Sequence, residues 1–333
     1  MDLLQETFGF AAKGFIVFLT IAGTVAVVVA LTRRRHAGRP MLEVKRLNDR
    51  FEGLGDALRR AVLGRKALKA LRRARKKKAD PDRARVYVLD FEGDLLASSV
   101  TSLREEVTAI GSMATERDEV VVRLESPGGG VPHYGLAAAQ LTRVREKKVK
   151  LTVCVDRVAA SGGYMMACVA DHIVAAPFAI IGSIGVVAQV PNVHRLLKKH
   201  DVDFEELTAG EFKRTVSVFG EITEKGRHKF MDQLDETHGL FKAFVKAQRP
   251  ALDVEQVATG EYWLAKRGLE LGLVDQLATS DEYLLGRARE ADVYHVRYTS
   301  AEAWWRRLAL ASAEAVERSV LRLLSRLESL SLR

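Results

Sequence analysis

From Arg85 onward the chain repeats one cycle, a short apolar run followed by an amphipathic stretch, and no other feature restricts its possible folds as much. Arg85 to Phe91 predicts a strand, and Ser98 to Met113 predicts a helix with Leu103, Val107 and Ile110 on one face. The cycle continues with a strand over Glu119 to Leu124, a helix over His133 to Glu146, a strand over Lys150 to Val155 and a helix opening near Ser161. Further β stretches are expected at His172 to Ala175 and at Ile184 to Val190. Strands that alternate with helices are joined by crossovers, so the expected class is α/β with largely parallel pairing. Beyond Glu221 the pattern turns helical: Phe230, Leu234, His238, Phe241 and Val245 recur at spacings of three and four, as do Leu308, Ala311, Val316, Val320, Leu323, Leu327 and Leu330 in residues 302–330. Such stripes serve core or subunit contacts.

Upstream of the cycle lies a different material. No charged residue occurs between Gly14 and Thr32, a length that spans about 30 Å as a helix and is enough to cross a bilayer. The run ends in Arg33, Arg34 and Arg35 with no small-x-small cleavage site before them, so an uncleaved, single-pass anchor is expected rather than a removable signal peptide. Asp2 and Glu6 precede it against one Lys13, whereas Arg33, Arg34, Arg35 and Arg39 follow, and the positive-inside tendency then keeps the C-terminal bulk in the cytoplasm. Residues 33–78 carry 18 lysines and arginines against 4 acids, a net of +14; with a total of +9, everything else sums to −5. This basic stretch has one aromatic, Phe51, and no nucleic-acid-binding motif, so a membrane surface is the expected neighbour and nucleic acid is not. Leu54, Leu58, Val62, Leu63, Leu68 and Leu71 give it a roughly helical spacing, which suits a solvated spacer or a helix against anionic headgroups. Ala79-Asp80-Pro81-Asp82 breaks the pattern. The expected layout is an anchor over 1–32, a basic helical linker over 33–84, a catalytic domain over 85–290, and a strand with an amphipathic helix over 291–333.

A chain of 333 residues, 47% of them hydrophobic, is long enough for one substantial core plus this extra segment. Its two cysteines, Cys154 and Cys168, stand in apolar runs without neighbouring ligand residues, so both read as buried thiols, and neither a metal nor a cofactor is expected.

Chemistry concentrates in two glycine-rich turns. In the run Asp156 to Ala167, a strand gives way to Ala159-Ala160-Ser161-Gly162-Gly163 and then to a helix whose first turn would hold Ser161. Free N–H groups at such a helix start stabilise developing negative charge, and small neighbours leave room for a substrate backbone. Capping the helix is the simpler use of a serine there. The second turn, Ser126-Pro127-Gly128-Gly129-Gly130, ends the preceding strand, so in a parallel sheet its glycines and Ser161 approach on one edge. Peptide hydrolysis needs two donors aimed at the tetrahedral oxyanion, and Gly129 N–H with Gly162 N–H is the expected pair. No Walker Lys-Ser/Thr pair and no G-x-G-x-x-G spacing accompanies these glycines, so a phosphate cradle is not read here. A serine hydroxyl also needs a base; a lysine serves when burial lowers its pKa, but composition selects none among so many.

The strings Glu125-Ser126-Pro127-Gly128-Gly129, Val158-Ala159-Ala160-Ser161-Gly162-Gly163-Tyr164 and Ile181-Gly182-Ser183-Ile184-Gly185-Val186 resemble, in order and spacing, the signal peptide peptidase A family (peptidase family S49), and within it the short, SohB-like inner-membrane branch. The resemblance covers roughly residues 85–290 and extends into the anchor. It implies a serine endopeptidase with a Ser/Lys dyad on a crotonase-like or Clp-protease-like fold, acting on peptides such as remnant signal peptides or on membrane and misfolded proteins. The family's base follows its serine by 52 positions, which falls on Lys213, and a second serine 22 positions on, Ser183, would hold the lysine amine. The resemblance further implies a bacterial inner-membrane location and a homo-octamer in which adjacent subunits supply serine and lysine. Two departures stand out: Glu125 replaces a frequent Asn, and the family archetype acts on the extracytoplasmic side, against the charge pattern. The competing classes are an acyl-CoA enzyme on the same scaffold, which makes no use of Ser161 or Lys213, and a catalytically silent membrane scaffold.

Overall fold

The computed structural model describes residues 41–63 and 83–299. The chain divides into two units, Glu43–Arg297 and a second one of Met1–Leu42 with Tyr298–Arg333, and nearly all the described residues belong to the former. The expected span at residues 14–32 and the stripe at 302–330 lie outside the described residues. Among the described residues, no helix is long and apolar enough to cross a membrane.

In chain order the elements are β1 (Met41–Arg46), α1 (Leu47–Val62), β2 (Arg85–Glu92), α2 (Val100–Gly111), β3 (Glu119–Glu125), α3 (Val131–Glu146), β4 (Lys150–Val155), β5 (Val158–Ala160), α4 (Gly162–Ala167), β6 (His172–Ala175) and β7 (Ile180–Gly182). They continue with α5 (His194–Lys199), α6 (Glu224–Gln248), α7 (Val254–Val257), β8 (Tyr262–Leu264), α8 (Ala265–Glu270), β9 (Gln276–Leu277), α9 (Ser280–Glu290) and β10 (Asp292–Thr299). One sheet has the order β1-β10-β2-β3-β4-β6-β9, and its pairings from β10 to β9 are all parallel. A second, small sheet has the order β5-β7-β8, with β5 parallel and β8 antiparallel to β7. The fold is mixed α/β.

Burial along β2, β3 and β4 is nearly continuous because both faces of the sheet are covered. Alternate side chains serve different cores, as the period of two requires. Tyr87, Leu89, Phe91, Val120, Val122, Leu124, Leu151 and Val153 face the larger core with α2, α3 and α4, where Leu103, Leu141 and Met166 are buried. Val86, Val88, Val121 and Cys154 face a smaller core closed by Leu284 of α9 and by Leu47 and Phe51 of α1. On that side Glu119, 2% exposed, accepts from Thr152 Oγ1 (2.6 Å), Tyr283 Oη (2.6 Å) and Arg287 Nε (2.7 Å).

Two expectations change. Ile184 to Val190 forms no strand; the strand is Ile180–Gly182, and it ends where Gly182 (φ 93°) and Ser183 (φ 51°) turn the backbone out of the extended region. The second concerns residues 41–62: expected within a basic helical linker, as a solvated spacer or a helix against headgroups, they form the strand β1 before the helix α1. Asn48, at the start of α1, donates to Ala288 O and Ala291 O (3.0 Å each) and accepts from Val293 N–H (2.7 Å), a long-range clamp that no local periodicity reveals.

Candidate active site

The site forms where the two sheets touch. After β3, Ser126 makes a parallel bridge to Ala159: Ser126 N–H donates to Val158 O (2.8 Å), and Ala160 N–H donates to Ser126 O (3.0 Å). This bridge carries the Ser126–Gly130 turn against the start of α4. A Cβ on Gly128, whose φ is +94°, would lie 2.7 Å from Ser161 Cβ, 2.8 Å from Ala160 O and 2.9 Å from Gly162 N. The two glycine-rich turns therefore meet, as their positions at the carboxyl ends of parallel strands predict.

Ser161 occupies a sharp strand-to-helix turn, with φ 52° and ψ −119°, values that a residue with a side chain rarely adopts. Such a turn projects a hydroxyl out of the chain path. The Ser161 side chain makes no capping hydrogen bond to α4, so the simpler capping role does not account for it. Backbone contacts hold the residue instead: Ser161 N–H donates to Gly182 O (2.7 Å), and Met165 N–H donates to Ser161 O (2.9 Å). The helix it opens is anchored by the fully buried Tyr164, whose hydroxyl donates to Leu273 O (3.0 Å).

Among the loop hydrogen bonds of the described residues, Gly128 N–H is taken by Ser126 Oγ (3.1 Å) and Gly130 N–H by Leu95 O (2.9 Å), while Gly129 N–H and Gly162 N–H have no acceptor. Those two are the amides expected to face an oxyanion. Ser183 stands beside Ser161, because Ala160 pairs with Gly182 and each serine follows its strand with nearly the same φ. Ser183 N–H donates to Glu261 O (2.8 Å), and its hydroxyl lies 3.5 Å from Gly260 O.

Lys213 follows β7 in the chain. It is exposed, lies on the irregular part of an arm running from residue 183 to 223, and its amine has no hydrogen bond or ion pair among the described residues. Within the arm Val193 N–H donates to Val218 O (2.8 Å), Asn192 Nδ2 donates to Ser217 O (2.8 Å) and Gly220 O (2.9 Å), and Arg214 faces Glu206 (3.6 Å); outside it, Lys225 of α6 pairs with Glu211, and the Lys225 and Lys229 ammonium groups lie over the Phe212 ring. It also exposes Val187, Leu196, Leu207, Phe212 and Phe219. Glu125, the departure from the family string, accepts from Arg157 Nε (2.8 Å) at the rim of the site.

Several other nucleophiles and bases are engaged away from Ser161. Burial pushes the Cys154 thiol far up and the Cys168 thiol up to about 12, so neither supplies a thiolate. His172, His194, His238 and His295 are engaged with Gln276, Phe219 O, Ile184 O and Asp90 respectively; His133 stands beside Gly130. Sequence reasoning missed Tyr134, which is fully buried between the two glycine turns. The available signal was the pair Gly93 and Gly162, two glycines at element ends that leave room for the Tyr134 hydroxyl and ring respectively.

A family model described as peptidase family S49 matches residues 143–294, and one described as peptidase family S49 N-terminal matches residues 2–141. A probable protease SohB of Haemophilus influenzae is 49% identical over 315 residues, covering 89% of this chain and 89% of that one. A probable protease SohB of Buchnera aphidicola subsp. Schlechtendalia chinensis is 43% identical, covering 86% of this chain and all of the other. A solved mutant of the 1510-N membrane-bound stomatin-specific protease aligns at 14% identity and a TM-score of 0.40, over 64% of this chain and 97% of that one.

Proposed function

Because this chain belongs to peptidase family S49 and is a serine protease, we propose that its peptide hydrolysis runs through Ser161 as nucleophile and Lys213 as general base. The observation that carries the nucleophile is the uncapped, left-handed Ser161 packed against Gly128. In this reading Ser161 Oγ attacks the scissile carbonyl as Lys213 Nζ takes its proton, and Gly129 N–H and Gly162 N–H receive the oxyanion. The lysine then protonates the leaving amine, and water, activated by the same amine, cleaves the acyl-enzyme. Ser183, one strand across from Ser161, holds the amine. The finer fold is crotonase-like or Clp-protease-like, and residues 14–32 anchor the chain in a bilayer; the acyl-CoA alternative falls with the family assignment.

The base comes from a neighbouring subunit. Supporting this reading are the exposure of Lys213 and the exposed apolar side chains of its arm. A lysine works as a base only where burial or a cation beside it removes the support of its charge, and docking against a second copy supplies that burial. The family resemblance suggests a homo-octamer. The test is to co-express Ser161→Ala with Lys213→Ala. Each alone is inactive and unlabelled, or labelled without turnover, by a fluorophosphonate. In a mixed oligomer at equal amounts, about one interface in four joins an intact serine to an intact lysine, since each mutation must fall on its harmless side. Recovered activity near a quarter of wild type is the expected result; none from a demonstrably mixed oligomer shows that each subunit supplies its own dyad. A silent scaffold would leave the wild type unlabelled, and loss of activity in His133→Ala with normal turnover in Lys213→Ala would move the base to His133.

A further inference from the structure

Tyr134 is fully buried where three turns of the chain meet. A Cβ on Gly162 would overlap its ring, so the ring rests directly on the first residue of α4. Its hydroxyl donates to Asp94 O (2.8 Å), in the turn that leaves β2, and lies 2.6 Å from Ser126 Oγ. The proton directions follow from the inventory of donors. A carbonyl oxygen has no proton, so Tyr134 gives its only one to Asp94 O. Ser126 must then donate to Tyr134 Oη, and its own lone pairs accept Gly128 N–H (3.1 Å). A Cβ on Gly93 would overlap both hydroxyls, so the β2 turn closes over them. Burial raises the Tyr134 phenol above its ordinary value, which keeps it a donor through neutral pH.

We propose that Tyr134 and Ser126 are positioning residues that set the separation and aim of the two oxyanion donors, the ring supporting Gly162 and the relay fixing the Gly128–Gly129 turn. This rests on the reading of Gly129 N–H and Gly162 N–H as that pair. Donors to an oxyanion help the rate only if they are held where the charge will develop, not where the ground-state carbonyl lies. A buried relay of neutral groups does this without water and without a charge that must reorganise. Truncating it leaves both amides present but loosely aimed, and the cost falls on kcat.

The experiment compares Tyr134→Phe, Ser126→Ala and the double variant with wild type, with Tyr283→Phe as a control in which a half-buried tyrosine loses its hydroxyl at the far end of the sheet. Peptide kinetics should show kcat lowered about 10- to 100-fold in Tyr134→Phe with KM within about twofold, a fraction of the loss typical of deleting one donor. The double variant should be hardly worse than either single, because the two hydroxyls act as one relay. Affinity for a peptidyl boronate, which mimics the tetrahedral adduct, should fall in step with kcat/KM. Tyr283→Phe should lower the unfolding midpoint and leave kcat unchanged. If Tyr134→Phe does not fold, Ser126→Ala decides alone by the same readouts. Unchanged kcat in a folded variant, a loss confined to KM, or additive losses in the double variant would each overturn the proposal. Failure of the underlying reading looks different: the wild type itself would then bind the peptidyl boronate no more tightly than the matching substrate peptide.

Discussion

Gly128→Ala probes the contact on which the site depends. The added methyl would stand 2.7 Å from Ser161 Cβ, whereas ordinary contact begins near 3.4 Å, so the two turns must separate by about 0.7 Å. The nearby Ala160 O and Gly162 N are backbone atoms at 2.8 and 2.9 Å, and no flexible side chain can give way for them. The backbone also sits at φ +94°, which for alanine adds about 1–3 kcal/mol of strain. Together with overpacking, the unfolding free energy should fall by about 2–4 kcal/mol. The kinetic effect is separate: a misplacement near 1 Å typically costs about 10²-fold, so kcat of the folded enzyme should drop roughly 10- to 100-fold. Denaturant titration gives the first quantity, and peptide turnover corrected for the folded fraction gives the second. Wild-type kcat in a folded Gly128→Ala protein would refute the inference that the Ser126–Gly130 turn and Ser161 act as one site.

Lys213→Arg should be inactive in peptide hydrolysis at neutral pH, because a guanidinium is effectively never deprotonated; measurable turnover removes Lys213 as the base. Glu119→Gln should destabilise the protein by about 2–4 kcal/mol in denaturant titrations, since it strips a buried partner from Arg287 and Lys150, and should leave kcat of the folded fraction unchanged. Burial works to raise the Glu119 carboxyl, but hydrogen bonds from Thr152 and Tyr283 with the charges of Lys150 and Arg287 outweigh it and hold the group below its ordinary 4.5. That stabilisation is present above 4.5 and is lost as pH falls through the lowered folded-state value, so the variant should lose part of the acid slope of stability.

Strands with uninterrupted apolar runs were legible: Lys150–Val155 and His172–Ala175 fall where the residue types predict, because burial on both faces leaves no other reading. Leu103, Val107 and Ile110 are buried on one face of α2 for the same reason. The meeting of the two glycine turns was legible from parallel topology. The adjacency of Ser161 and Ser183 was not, because it depends on the three-residue strands β5 and β7 pairing around the intervening β6. Ile184 to Val190 has strand composition, yet the positive φ of Ser183 takes the chain away from any partner. Tyr134 is invisible to periodicity, reading as one more apolar position on α3, and its hydroxyl acquires a role only when three distant turns assemble around it.

The two ends of the main sheet are fastened by different physics, and the difference suits their tasks. At the amino end, Glu119 is gripped by Arg287, Lys150, Tyr283 and Thr152, a charged lock whose strength depends on pH. At the carboxyl end, the buried fastenings around Ser161 are neutral: the Ser126–Tyr134–Asp94 relay, the Ser126–Ala159 bridge and direct backbone packing at Gly128. Oriented neutral donors held in place stabilise the charge that develops in the transition state without reorganising as it forms. Acid below the ordinary glutamate value should loosen the amino end, where the charged lock lies. In the proposed mechanism the base, Lys213, is carried on an exposed arm instead of the sheet, so the charged lock that makes stability depend on pH at Glu119 stands apart from the element that carries the base.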